Sequence, residues 1–127
     1  MGGLKTAFDK ISADEKKQMF QKLMREVQKN FDSIPSGKTL AMRNGMSENL
    51  CERLFQEYLK TSPTKYIRGY RLEKACQMLT QTNKPMAEIS ALCGMNNSYF
   101  SKTIRKATGL TPMEYRRNHR RSNSTQK

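Results

Sequence analysis

The strongest constraint on this 127-residue chain is an internal duplication at a fixed interval. Leu40-Ala41, Gly45-Met46, Pro63 and Tyr66 recur as Ile89-Ser90, Gly94-Met95, Pro112 and Tyr115, each displaced by 49 residues. Each copy has the pattern of a short apolar helix, a glycine-centred turn, a second amphipathic helix and a Ser/Thr-Pro pair that opens another helix. A left-handed turn costs glycine least, and Ser47 in one copy, Asn96 or Asn97 in the other, stands ready as the next N-cap. A short helix, a turn and a longer helix in that order read as a helix-turn-helix, present twice.

The rest of the chain arranges itself around these copies. Ser12-Ala13-Asp14-Glu15 fits a capping box. The helix it opens runs to about Asp32, with Met19, Phe20, Leu23, Met24, Val27 and Phe31 as an apolar stripe and Lys16, Lys17, Gln21, Lys22, Arg25 and Lys29 outward. Lys38 to Asn44 is the first short helix, with Leu40 and Ala41 inward. Glu48 to Leu59 follows, burying Leu50, Cys51, Leu54, Phe55 and Tyr58. From about Thr64 to Thr80 a longer helix carries apolar residues on more than one side, as a helix touching a core at each end requires. Met86 to Cys93 is the second short helix, and the helix after it reaches about Thr108 with Tyr99, Phe100, Thr103, Ile104 and Ala107 inward. Thr111-Pro112 begins a last helix around Tyr115, and Asn118 to Lys127 reads as a basic, frayed tail. The predicted division is residues 1–36 as lead-in and amphipathic helix, 37–63 as first helix-turn-helix, 64–82 as linker helix, 83–118 as second helix-turn-helix with its final helix, and 119–127 as tail.

Charge narrows the partner. The net charge is +13, from 24 Lys and Arg against 11 Asp and Glu, so a polyanion is expected. Residues 60–127 hold 14 basic residues and three acids (net +11), whereas the first 59 hold ten basic residues and eight acids (net +2). The cationic potential therefore belongs mainly to the second half. Cys51, Cys76 and Cys93 stand in apolar contexts without a C-x-x-C pair, which reads as small buried hydrophobes in a reducing compartment. One histidine, His119, makes a metal site unfavoured, and no cofactor is expected. The sequence has no apolar run of about 18 residues that would span a membrane. A cytoplasmic location is expected, on the nucleoid when bound. P-loop, dinucleotide and HExxH motifs are missing, as is a Ser/His/Asp set with a plausible base, so no enzyme is expected.

A helix entering the major groove should carry small polar or forked side chains toward the bases and cations toward the phosphates. The outward set of the first copy is Glu48, Asn49, Glu52, Arg53 and Gln56. In it Arg53 suits guanine O6 and N7, Asn49 or Gln56 suits adenine, and Glu52 suits cytosine N4. In the second copy the set is Asn97, Ser98, Ser101, Lys102 and Arg105, with Lys106 beside it. The first face is mixed in charge and the second purely cationic. Base selectivity is accordingly expected mainly from the first copy and non-specific affinity mainly from the second.

On these residues the chain resembles the DNA-binding region of the AraC/XylS family of bacterial transcription regulators, over about Thr39 to Arg117. The carriers are LAMRNGMSENLCERLFQEYLKTSPTKYIRGYRLEKACQML and KPMAEISALCGMNNSYFSKTIRKATGLTPMEYRR, above all Cys93-Gly94, Tyr99-Phe100-Ser101 and Thr111-Pro112-x-x-Tyr115-Arg116. The resemblance implies an all-α fold of about seven helices: two homeodomain-like helix-turn-helix subdomains joined by a long linker helix. It further implies two recognition helices in adjacent major-groove segments about one turn apart and activation through contact with RNA polymerase at a promoter site; the duplication itself suggests a monomer able to grip two successive segments of one double-stranded DNA groove. Base contacts map onto Asn49, Glu52, Arg53, Asn97, Ser98 and Lys102, and phosphate contacts are expected of Ser47, Gln56, Ser101, Arg105 and Lys106. Between Gly94 and Pro112 the chain is one residue shorter than the second unit of relatives usually is, the shortening falling near Asn96-Asn97-Ser98. The 36 residues before the match are too few for an effector pocket, so the chain reads as a small stand-alone regulator or an excised domain. Two rival readings remain at this level. One is an architectural or RNA-binding protein using the tail arginines Arg116, Arg117, Arg120 and Arg121. The other is an interaction module whose Met19–Phe31 stripe docks a partner.

Overall fold

Two short helices, each turning into a longer one, dominate a computed structural model that describes residues 7–125, with side chains to residue 120. Among the described residues there are seven α-helices and no strand: α1 (Ala13–Asn30), α2 (Gly37–Arg43), α3 (Glu48–Leu59), α4 (Pro63–Gln81), α5 (Met86–Leu92), α6 (Asn97–Thr108) and α7 (Pro112–Thr125). A single 3-10 turn over Phe31–Ser33 follows α1. The chain divides into two compact units, one ending at Ile67 and the other beginning at Arg68, so the division passes through α4.

In the first unit, α1 starts at the capping box expected of Ser12 and Glu15: the Glu15 amide donates to Ser12 Oγ at 3.1 Å, and the Ser12 amide to Glu15 Oε1 at 3.3 Å. Its stripe packs on α2 and α3, with Leu23 and Val27 fully buried and Phe20 edge-on to Phe55 at 5.2 Å. Leu40, Cys51, Leu54 and Phe55 complete this core. Burying one such large side chain is worth about 1.5–3 kcal/mol, so the centre of the stripe (Phe20, Leu23 and Val27) is spent on the first unit's core, while Met19, Met24 and Phe31 are half-buried. Tyr58 departs from expectation: it is 38% exposed, because its ring lies flat on Phe20 at 4.6 Å and covers the core from outside. Leu50 is only half-buried, at the edge of the apolar stripe of α3. Lys16, expected outward, keeps just 14% of its side-chain exposure.

In the second unit, Ile89, Cys93, Met95, Phe100 and Ile104 form the core with Ala75 and Leu79 of α4. Helix α4 thus serves each core by a different stretch, Ile67 in the first unit and Ala75 and Leu79 in the second. Tyr99 (44% exposed) and Ala107, both expected inward, stand open beside Leu72 along a shallow groove of about 510 Å³. They fall at the rim of α6's apolar stripe, where Phe100 and Ile104 already fill the space beneath. Helix α7 continues through Thr125, past the Asn118 at which a frayed tail is expected to begin. The last two residues of that tail and the side chain of Arg121 lie outside the described residues, as does the Met1-Gly2-Gly3 start.

Candidate nucleic-acid interface

The duplicated sequence folds into a duplicated turn with the same central backbone bonds. The Met46 amide donates to Ala41 O at 3.0 Å, and its counterpart Met95 donates to Ser90 O at 2.8 Å. Gly45 donates to Met42 O at 3.1 Å as Gly94 does to Ala91 O at 3.0 Å, and the two glycines sit at φ 64° and 74°. Behind each turn a side-chain cap starts the longer helix: Leu50 N–H to Ser47 Oγ at 3.1 Å, Tyr99 N–H to Asn96 Oδ1 at 2.8 Å. Asn96, then, is the cap that the sequence left open between two asparagines. The 49-residue interval carries into three dimensions, so Glu48, Asn49, Glu52, Arg53, Gln56 and Glu57 match Asn97, Ser98, Ser101, Lys102, Arg105 and Lys106 in register.

Most of the side chains singled out from sequence are exposed on one or other longer helix. On α3 these are Ser47 at the cap, then Asn49, Glu52 and Gln56; Arg53 alone is half-buried. The exception has a cause: the guanidinium carbon of Arg53 lies 4.5 Å from the centre of the Phe8 ring, which packs against α3 from the segment preceding α1. Phe8, Asn49, Glu52, Arg53 and Gln56 line a hollow of about 800 Å³ on this face. On α6, Asn97, Ser98, Ser101, Lys102, Arg105 and Lys106 are all exposed. Asn97 also supports the core beneath it. Its Oδ1 lies 2.7 Å from the buried Ser90 hydroxyl, whose proton is shared with Ala87 O at 2.9 Å. Ser47 Oγ is likewise an acceptor within the cap, so toward a phosphate it has its hydroxyl proton to offer.

Sequence reasoning missed two residues. Phe8 carried no helical period to flag it; an isolated aromatic in a polar lead-in was the only signal. Arg116, assigned to a nucleic-acid-binding tail in the rival reading, points inward: Nε donates to Leu79 O at 2.9 Å and Nη2 to Lys84 O at 2.8 Å. It satisfies carbonyls at and just beyond the end of α4, and burial together with nearby Arg120 lowers its pKa. Arg120 in turn donates to Asn83 Oδ1. Two of the four tail arginines are therefore tied into the second unit.

Two of the three thiols fit the apolar reading: Cys51 and Cys93 are buried, whereas Cys76 is half-buried and shares a hydrogen bond with Tyr115. The Cys51 thiol is pushed up to about 12, chiefly by burial and then by Glu52 and Glu48. Among the described residues no cluster of three or more His, Cys, Asp or Glu could hold a metal, and no helix is long and apolar enough to cross a membrane.

A helix-turn-helix domain family matches residues 40–118, which takes in both turns and both exposed faces. The chain belongs to the AraC-type helix-turn-helix family of DNA-binding transcription regulators. It is 33% identical over 97 residues to the HTH-type transcriptional regulator GbdR of Pseudomonas aeruginosa, covering 76% of this chain and 26% of that protein. The chain thus spans about a quarter of the length of this relative. A transcriptional regulator from Chromobacterium violaceum, described as an AraC-type DNA-binding domain-containing protein, superposes with a TM-score of 0.62 at 33% identity, over 79% of this chain and 94% of that one. The DNA-binding domain of AdpA, solved in complex with a target DNA, shares the fold at a TM-score of 0.72 and 20% identity, over 82% of this chain and 94% of that one.

Proposed function

We propose that this AraC-type chain regulates transcription by inserting α3 and α6 into successive major-groove segments of one promoter site, as a monomer, and that it activates by contacting RNA polymerase there. The observation that supports this most is the repeated turn: the same backbone bonds present an exposed polar helix face twice. Asn49, Glu52 and Arg53 on α3 and Asn97, Ser98 and Lys102 on α6 are assigned to base edges. The exposed amide, carboxylate, hydroxyl and ammonium groups, with the half-buried Arg53 guanidinium, suit the donor and acceptor code of the major groove. Ser47, Gln56, Ser101, Arg105 and Lys106 are assigned to phosphates, where they set register without reading sequence.

Selection of bound duplexes from a random pool tests the reading. The expected result is a site of roughly 20 base pairs with two informative blocks about one helical turn apart. One block, or none, would overturn the two-headed assignment. Promoter transcription with purified polymerase then distinguishes activation from repression by the sign of the change.

A further inference from the structure

The groove beside Tyr99 lies where the two copies of the fold are built differently. Helices α3 and α6 correspond at the 49-residue interval, so Glu57 and Tyr58 match Lys106 and Ala107. The helices packed behind them correspond at 52 residues: Leu23 and Val27, fully buried on α1, hold the places of Ala75 and Leu79, fully buried on α4. At that interval Lys16 and Phe20 match Arg68 and Leu72. In the first unit these positions are filled and balanced. Tyr58 stacks on Phe20 at 4.6 Å, and Lys16 Nζ stands 3.9 Å from Glu57 Oε1. In the second unit Ala107 and Leu72 replace the two rings, and a groove of about 510 Å³ opens between α4 and α6. Glu57 has become Lys106, so Arg68, Lys102 and Lys106 line the groove and none of the lining residues is an acid. Gly69 lines it too, and a Cβ there would meet nothing within 4 Å.

We propose that this groove docks an acidic, aromatic-bearing segment of a partner protein, which supplies from outside the ring and the carboxylate that Tyr58 and Glu57 supply within the first unit. The apolar floor of Leu72, Tyr99 and Ala107 decides the class of partner. A phosphate backbone would answer the three cations and leave that floor without an apolar partner. An aromatic side chain buries about 150–250 Å² of surface, and the matching place in the first unit holds one. Carboxylates beside the ring meet Arg68, Lys102 and Lys106 in charge-assisted hydrogen bonds. A second copy of this chain is the poorer occupant, because it brings a net charge of +13 to a cationic rim. Lys102 and Lys106 are also assigned to DNA, so a docked segment excludes the promoter site. That consequence rests on the DNA assignment; the docking itself does not.

Selection of a displayed library of random peptides on the full chain tests the proposal. The recovered peptides should combine Glu or Asp with Phe, Tyr or Trp, and a labelled synthetic copy should bind in fluorescence anisotropy. Ala107→Tyr restores the ring of the first unit and leaves the charge unchanged, and it should weaken that binding by about tenfold or more. Gly69→Leu fills the groove from α4 and should do the same, so the outcome does not hang on one variant that fails to fold. Peptides that bind both variants as tightly as the unaltered chain overturn the proposal. So do winners that carry acids without an aromatic, since the cations then answer charge alone, as they would toward phosphate. Self-association of the free chain that Ala107→Tyr abolishes would give the groove to a second copy, and the partner assignment would fail. A peptide blocked by both variants that does not displace a selected duplex upholds the docking and removes Lys102 and Lys106 from the DNA face.

Discussion

Helices α3 and α6 stand on the same turn and differ in what they present. In register, Glu48, Glu52 and Glu57 of α3 are replaced by Asn97, Ser101 and Lys106 of α6, and Gln56 by Arg105. One scaffold thus carries an anion-bearing face and a cationic face. The lesson is that backbone geometry sets where a helix is presented, and the side chains set the charge it presents. The supports differ too. The first unit braces its helix from outside with Phe8 and Lys16, while the second ties Asn97 to its own core through Ser90.

The comparison breaks most visibly on DNA. Arg105→Ala with Lys106→Ala should flatten the slope of log affinity against log salt by about two and weaken all sequences alike, by roughly fifty-fold at 0.1 M salt. A titration that leaves the slope unchanged removes α6 from the phosphates. Arg53→Ala should instead cost about 1–3 kcal/mol of discrimination at one base pair, with the slope altered by no more than about one. If both variants behave alike in competition against mismatched duplexes, the two faces are not specialised.

Smaller effects probe how each unit is held. Where the first unit has buried Ile67, the second has Arg116, clamping the carbonyls of Leu79 and Lys84. Arg116→Leu should destabilise the second unit by about 1–3 kcal/mol in denaturant melts, since two carbonyls lose their donor. A gain in stability would mean that water or apolar packing serves as well. The helix ends give a finer contrast. After α3 the left-handed position is Lys60 at φ 57°, whereas after α6 it is Gly109 at φ 77°. Lys60→Gly should therefore stabilise the first unit by about 0.5–1 kcal/mol, because only glycine adopts that conformation without strain.

The smallest effect is a pH response confined to one helix start. The Thr111 amide donates to Glu114 Oε1 at 2.9 Å, and this bond, with that of the Thr111 hydroxyl, lowers the Glu114 pKa from its ordinary 4.5. A carboxylate held lower in the folded state contributes its full stabilisation above pH 4.5 and loses it as pH falls through the lowered value. The start of α7 should fray in that acid range, seen as faster amide exchange near Thr111. The start of α4 should not, because its cap is Ser62 Oγ and the register position of Glu114 is Lys65.

Much of this architecture was legible because it is periodic. Leu23 and Val27 recur at helical spacing and are fully buried, and Gly45 and Gly94 mark the two turns where the 49-residue interval placed them. The faces were legible for the same reason, since helical period alone sends Asn49 and Glu52, or Ser98 and Lys102, outward. What escaped was non-periodic or long-range. The contact of Phe8 with Arg53 spans 45 positions, and Arg116 reaches a carbonyl 37 residues away. A charged residue near a basic tail looks the same in sequence whether it meets phosphate or backbone.

The sequence by itself determined the helices, the duplicated turn, the placement of charge and the family, because all of these are written in local pattern and spacing. Tertiary structure alone decided that the centre of the stripe of α1 is core, that Asn96 caps while Asn97 supports Ser90, that Arg116 is a clamp, and that Arg53 lies against a ring. Each depends on which distant group fills the space beside a side chain. Burial and hydrogen bonding are settled by that neighbour, and no local spacing encodes it.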